Sequence, residues 1–114
     1  MPSIHIKMSV SDFLMCIDGI HFHLQGKQDF IWYQNSITVK RAVERELSIL
    51  GEAVTRILKV EKDFPLSKAP EIIAFRNRVI HAYDAVDDNL VWKIIVKDIP
   101  VLHQEVLILI NHSL

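Results

Sequence analysis

The eight-residue run from Arg76 to Tyr83, RNRVIHAY, contains side chains that can act on a phosphodiester. Arg76 offers a permanent cation whose planar set of donors fits phosphate oxygens. His81 offers the side chain whose unperturbed pKa lies nearest to neutral pH. Asn77 can orient a neighbouring group or a phosphate oxygen, and Tyr83 adds a hydroxyl. The run is therefore a candidate site for a ligand that contains phosphate.

The spacing within this run predicts which of its side chains share a surface. At about 100° per helical residue, Arg76 and Tyr83 lie on one face. Asn77 and His81 lie about 40° apart on a neighbouring face. We therefore predict one polar patch that holds all four side chains. A structural alternative stays open from the residues alone, in which the four close a helix end and a following aspartate pairs with Arg76.

Length and composition predict one globular domain over residues 1–114. The 114 residues are enough for one modest hydrophobic core, and half of them are hydrophobic. Three glycines and four prolines supply little material for a turn-rich β-sandwich. The sequence therefore favours helices over sheets.

Charge and cysteine content restrict the function and the location. The net charge of -1 excludes the broad basic field of non-specific nucleic-acid binders, so a nucleic-acid role requires a local site. Cys16 is the single cysteine, which excludes an internal disulfide and fits a reducing compartment. The chain lacks an apolar run of the roughly 20 residues that span a bilayer, and its start lacks the apolar core of a signal peptide. We expect a cytoplasmic protein.

Apolar residues recur every three or four positions along most of the chain, which predicts an antiparallel all-α bundle of four to five helices. The segment around Pro65 and Pro70 breaks this pattern and is predicted to be a linker within the domain. The predicted helices run from about Ser9 or Ser11 to Leu24, from about Ser36 to Val60, from Pro70 to about Tyr83, from Asn89 to Lys97 and onward from Asp98 or Pro100.

Gly51 falls in the middle of the second predicted helix, where glycine is less favourable than alanine by roughly 1 kcal/mol. A glycine at such a position usually has a packing or functional reason. We predict that another helix crosses closely at Gly51, within the chain or across a dimer, rather than that Gly51 belongs to a ligand-binding loop.

Three segments of the chain resemble the HEPN superfamily, and within it the HepT-like toxins. They are AVERELSILGEA at 42–53, RNRVIHAY at 76–83, and LVW at 90–92 followed by DIPVL at 98–102. The order and spacing of the segments match the family as well, so the resemblance covers most of the chain from about Val10 to Leu109. In one departure, family members frequently have a tryptophan shortly before the helix with the arginine and histidine, where this chain has LSKAP at 66–70.

The resemblance implies a dimeric helical bundle that acts as a metal-independent endoribonuclease without a cofactor. By position, Arg76 and His81 would be the catalytic pair and Asn77 the accessory polar residue. Members are often toxins that a nucleotidyltransferase antitoxin of the MntA type neutralises, and Tyr83 matches the tyrosine that such an antitoxin adenylylates. A non-catalytic helical module that partners a nucleotidyltransferase or binds nucleotides is the alternative function.

The remaining candidate residues have better structural explanations. His21 and His23 are two residues apart on a helix, whereas helical zinc ligands are three or four apart, so a surface pair is preferred to a metal site. Cys16 is predicted to be a buried structural thiol. The aspartates 84, 87 and 88 precede an apolar helix, and capping explains them better than magnesium binding.

Overall fold

The computed structural model describes residues 4–82 and 86–113, which form six α-helices and one short π-helical segment. The all-α prediction is confirmed, since no strand occurs in these ranges. The helices are α1 (Ile4–Leu24), α2 (Phe30–Gln34), α3 (Ile37–Val60), α4 (Ala69–Ala82), α5 (Asp88–Lys93) and α6 (Ile99–Ser113), with the π-helical segment (Ile94–Asp98) between α5 and α6.

Helix α1 begins earlier than its serines suggested. Ser9 was one of the two predicted starting residues, but it lies inside the helix, only 3 % exposed, and accepts a hydrogen bond from Arg56 of α3 at 3.2 Å. The buried side chain of Ile6 extends the apolar stripe by one further turn, so the helix continues upstream of Ser9. At the other end Gly26 adopts φ 70°, which confirms the predicted stop after Leu24.

Helix α3 is the central element of the bundle and packs between α1 and α4. Its predicted bounds are confirmed: Ser36 caps it by accepting a hydrogen bond from the amide of Val39 at 3.3 Å, and the last helical residue is Val60. The residues of α3 that are buried recur at helical spacing and form much of the core: Val43, Leu47, Leu50, Gly51, Ala53, Val54 and Ile57.

Gly51 marks a close crossing between α3 and α4, as predicted, and the crossing lies within one chain. A Cβ atom built on Gly51 would lie 2.8 Å from the Cβ of Arg76 and 3.2 Å from the carbonyl oxygen of Ile72. Both neighbours are backbone or backbone-proximal atoms of α4, so they cannot move aside without a shift of the helix. The missing side chain therefore sets the distance between α3 and α4 at the residue that begins the candidate site.

We expect Gly51→Ala to lower the free energy of unfolding by about 1–2 kcal/mol. Overpacking against α4 lowers the free energy of unfolding by about 1–3 kcal/mol, and the better helix propensity of alanine offsets up to roughly 1 kcal/mol of this loss. Urea unfolding measures the change. Gly19→Ala in α1 is the matched control, because its Cβ would meet only the flexible carboxylate end of Glu46. The control is expected to unfold at the same or a higher urea concentration, and equal destabilisation of both variants would contradict the crossing argument.

Helix α2 was missed by the sequence pattern because it is only five residues long. Asp29 caps it by accepting a hydrogen bond from the amide of Trp32 at 3.1 Å. Tyr33 is fully buried, with its ring centroid 5.3 Å from that of Trp92. The helix closes the end of the bundle through aromatic contacts rather than through a periodic stripe.

The single helix predicted from Asn89 to Lys97 is instead divided: α5 ends at Lys93 and the π-helical segment follows. Pro100 has no amide hydrogen to donate and its ring disfavours regular α-helix in the preceding turn, which accounts for a wider turn there. Asp98 ends this segment fully buried, 2.8 Å from the Lys93 amine and 3.9 Å from that of Lys68. These ion pairs fix the segment against the start of α4.

Candidate functional site

Arg76 is held at the α3–α4 crossing by two polar contacts. Its Nη2 atom lies 3.3 Å from Oε1 of Glu52 on α3, and its Nη1 donates a hydrogen bond to Oδ1 of Asn77 at 3.3 Å. The Arg76 side chain is 31 % exposed, so the guanidinium is reachable from solvent while its stem packs on Gly51. The crossing thus orients the arginine, and Asn77 accepts a hydrogen bond from it.

The Nε–H group of Arg76 is buried and has no hydrogen-bond partner among the residues that the structure describes. A buried donor without a partner is unfavourable by about 1–3 kcal/mol. A ligand oxygen that drew the guanidinium outward would supply a partner to this donor and compete with Glu52 for the others.

His81 lies in the last turn of α4 and its side chain is exposed. Asn77 and Ile80 beside it are exposed as well. Within residues 4–82 and 86–113, no hydrogen bond or ion pair joins His81 to Arg76, and five helical residues separate them by about 140° and about 7.5 Å along the axis. The structure brings Arg76 and Asn77 together and leaves His81 on the outer face of the helix. Tyr83 lies outside the described residues.

A cavity of about 230 Å³ opens beside Arg76, and sequence reasoning missed the residues of α3 that line it. Glu52, Thr55, Arg56 and Lys59 form its other wall, at positions i, i+3, i+4 and i+7 of one helical face. Gly51 is the feature of the sequence that could have identified this face of α3. Glu52 directly follows the close crossing at Gly51 and therefore lies beside α4. The cavity is lined by three cations and one carboxylate.

The sequence left open an aspartate after α4 as the partner of Arg76. Among the described residues, the aspartates that follow α4 contact other groups. Asp87 caps α5 by accepting a hydrogen bond from the amide of Asn89 at 2.9 Å. Asp88 pairs with Lys40 of α3 at 3.2 Å. The role of Asp87 as a helix cap is therefore confirmed, and the residue that pairs with Arg76 is Glu52. Asp84 lies outside the described residues.

Cys16 and the two neighbouring histidines stand apart from this site. Burial, followed by the nearby carboxylates of Glu46 and Asp12, raises the pKa of Cys16 to about 12, so the thiol stays protonated at neutral pH. The predicted structural role of Cys16 is confirmed by its burial in the core. His21 is exposed, whereas His23 is half-buried with its Nε2 atom 3.8 Å from Glu46.

No helix in the described ranges of the chain is long and apolar enough to cross a membrane. No group of three or more histidine, cysteine, aspartate or glutamate side chains in the same ranges is arranged to hold a metal ion.

Comparison with known proteins gives a consistent result. The family profile described as Ribonuclease HepT-like matches residues 14–108. A protein of Methanocaldococcus jannaschii named "Putative RNase" is 32% identical over 106 residues, which cover 92% of this chain and 90% of the relative. A protein of the same printed description from Caldanaerobacter subterraneus subsp. tengcongensis is 33% identical over 104 residues, covering 90% of this chain and 85% of that protein. No solved structure gave a significant match.

Proposed function

This chain belongs to the HepT-like ribonuclease family of the HEPN superfamily, and from that premise we propose that it cleaves RNA without a metal ion at a site shared by two copies of the chain. Arg76 and His81 are the catalytic pair in this proposal, and Asn77 orients the arginine. RNA is the substrate and no cofactor takes part. The family assignment confirms the resemblance that the sequence motifs suggested.

The observation that carries the shared site is the position of the pair on α4. Arg76 leans onto α3 and contacts Glu52, whereas His81 faces outward on the same helix. The angular separation of about 140° prevents the two side chains of one helix from converging on one small group. A two-fold axis near the end of α4 would bring an arginine and a histidine from each copy into one cleft.

The chemistry follows from the acid–base properties of histidine and the charge of arginine. One His81 accepts the proton of the 2′-hydroxyl as this oxygen forms a bond to phosphorus. The bond from phosphorus to the 5′-oxygen then breaks, and the second His81, in its protonated form, donates a proton to the leaving oxygen. Arg76 stabilises the negative charge of the pentacoordinate phosphorus. The products are a 2′,3′-cyclic phosphate and a 5′-hydroxyl, with no net change in protons.

The exposed side chain of Ile80 supports contact between two copies at this place. It is 52 % exposed and directly precedes His81 on α4. Beside it a groove runs between α3 and α4, lined by Val79, Ile80 and the polar residues Arg41, Glu44, Arg45 and Ser48. Val79 and Ile80, together with the polar residues around them, give this groove the mixed apolar and polar lining that protein–protein interfaces have.

A purified heterodimer tests the shared site directly. One subunit is wild type and the other carries both Arg76→Ala and His81→Ala, with a different affinity tag on each. If two copies of the motif build one site, we expect this heterodimer to lose RNA cleavage by about 100-fold or more relative to the wild-type homodimer. Cleavage at about half the wild-type rate would show that each chain contains a complete site and would reject the shared site.

We further propose that the chain is a cytoplasmic toxin and that a nucleotidyltransferase antitoxin silences it by adenylylating Tyr83. Tyr83 follows His81 by two residues in the sequence. An adenylyl group there would add a phosphate and a bulky base near the entrance for RNA, and the added negative charge would repel the substrate. Expression of the chain alone should arrest growth. Normal growth, together with heterodimers and homodimers that do not cleave RNA, would favour the non-catalytic binding module instead.

A further inference from the structure

We propose that Lys59 and Arg56 form a second phosphate subsite beside Arg76, where they bind the RNA backbone at a phosphate next to the one that is cut. This inference rests on the proposed ribonuclease function and adds to it a binding surface for the RNA strand along α3. Neither residue belongs to the motif that identifies the family.

The subsite consists of one face of α3 and the cavity in front of it. Thr55, Arg56 and Lys59 line the cavity from α3, and Arg76 closes it from α4. The cavity of about 230 Å³ is open to solvent, and the partly exposed Arg76 side chain forms part of its wall. A phosphate at Arg76 is therefore in direct connection with space in front of Lys59.

The charges around the cavity favour an anion. Arg56, Lys59 and Arg76 supply three cations, against the carboxylates of Glu52 and Asp12. Asp12 pairs with Arg56 at 3.1 Å, but both side chains are almost half exposed, so this ion pair is weak. The protein as a whole has a net charge of -1, so its overall composition does not account for this local excess of cations.

Lys59 is the residue of the cavity that is available to a ligand. It is exposed, and no described side chain forms a hydrogen bond or ion pair with its amine. Arg56, by contrast, already donates one hydrogen bond from its Nε to the hydroxyl of Ser9 at 3.2 Å and another from its Nη2 to Asp12 at 3.1 Å. We therefore assign Lys59 as the main phosphate contact and Arg56 as a fixed neighbouring charge.

The distance along α3 separates this subsite from the catalytic phosphate. Arg76 packs over Gly51, and Lys59 follows Gly51 by eight residues, about 12 Å along the helix axis. The backbone positions of the two residues are thus well separated, while both side chains line the same cavity. A single strand of RNA presents a phosphate at every nucleotide, so a neighbouring phosphate reaches Lys59 when the scissile one lies at Arg76.

Binding of an uncleavable RNA tests the subsite apart from catalysis. The probe is a fully 2′-O-methylated single strand of about 12 nucleotides, followed by fluorescence anisotropy at several salt concentrations. We expect Lys59→Ala to weaken binding about fivefold at 0.1 M salt and to reduce the slope of log Kd against log salt by about 0.7, as for one lost phosphate contact in single strands. Lys59→Arg should keep both values.

The matched control is Lys97→Ala, which removes an exposed lysine of the π-helical segment that does not line the cavity. This control should leave affinity and salt slope unchanged, and equal effects of the two alanine variants would overturn the subsite. A shift in the monomer–dimer distribution by Lys59→Ala with unchanged RNA affinity would also overturn it, because the cluster would then be a protein contact.

The same experiment distinguishes failure of the subsite from failure of the ribonuclease proposal. If wild type binds the probe with the expected dependence on Lys59 but does not cleave unmodified RNA, the proposed catalysis fails and the subsite stands as an RNA contact. If wild type cleaves, the KM for a long substrate should rise in Lys59→Ala while kcat, and the KM for a dinucleotide, stay constant. Unchanged KM for both substrates would reject the subsite and leave the catalytic proposal intact.

Discussion

Replacing His81 by alanine is expected to reduce RNA cleavage by about 10²- to 10⁴-fold, the range for loss of a general acid–base group. In the proposed dimer the substitution removes both the base for the 2′-hydroxyl and the acid for the leaving oxygen. The side chain is exposed in the last turn of α4. Its removal should therefore leave the helix content and the urea midpoint within the small changes typical of surface positions.

The assay compares single-turnover cleavage of a labelled RNA by wild type and His81→Ala with EDTA present throughout. His21→Ala is the matched control, because His21 is also an exposed histidine near a helix end, on α1. The control should cleave at the wild-type rate. Equal cleavage by all three proteins would exclude His81 from catalysis, and loss of wild-type cleavage in EDTA would exclude the metal-independent mechanism.

Replacing Arg76 is expected to reduce cleavage by about 10²- to 10³-fold, the cost of losing one charged donor to the transition state. Arg76→Lys should recover little of this loss. The lysine ammonium is a single point charge without the planar fork that contacts two phosphate oxygens at once. The two substitutions should thus resemble each other in kcat.

The stability of the Arg76 variants separates catalysis from folding. The ion pair between Arg76 and Glu52 is partly exposed, so its loss should change the free energy of unfolding by no more than about 1 kcal/mol. Arg78→Ala is the matched control, an exposed arginine on the same helix. If Arg78→Ala reduced cleavage as strongly as Arg76→Ala, general positive charge on α4 rather than a positioned arginine would explain the activity.

Much of the architecture was predictable because the signals for a helix come from residues that are close together in the sequence. The apolar stripe and the serine cap of α3 identify its bounds, since both depend on residues within a turn of each other. The start of α4 near Pro70 and the stop of α1 at Gly26 follow from the backbone restrictions of proline and glycine. The motif on α4 identified the family for the same reason, as its residue types and spacing are read within one helix.

Short or irregular elements were less predictable because their stability comes from contacts distant in sequence. Helix α2 is too short to display a period, and Tyr33 holds it in place through Trp92, which lies far along the chain. The π-helical segment depends on the pairing of Asp98 with Lys93 and Lys68 as well as on Pro100. Neither feature is visible in a pattern of apolar residues.

The sequence by itself determined the residue types of the site, their spacing on one helix and the presence of a close crossing at Gly51. Only the tertiary structure decided that the crossing helix is α4, that Glu52 is the partner of Arg76, and that Lys59 shares a cavity with it. The physical reason is that helical periodicity reports which side of a helix is buried, whereas the identity of the helix packed against that side depends on how the whole core is filled.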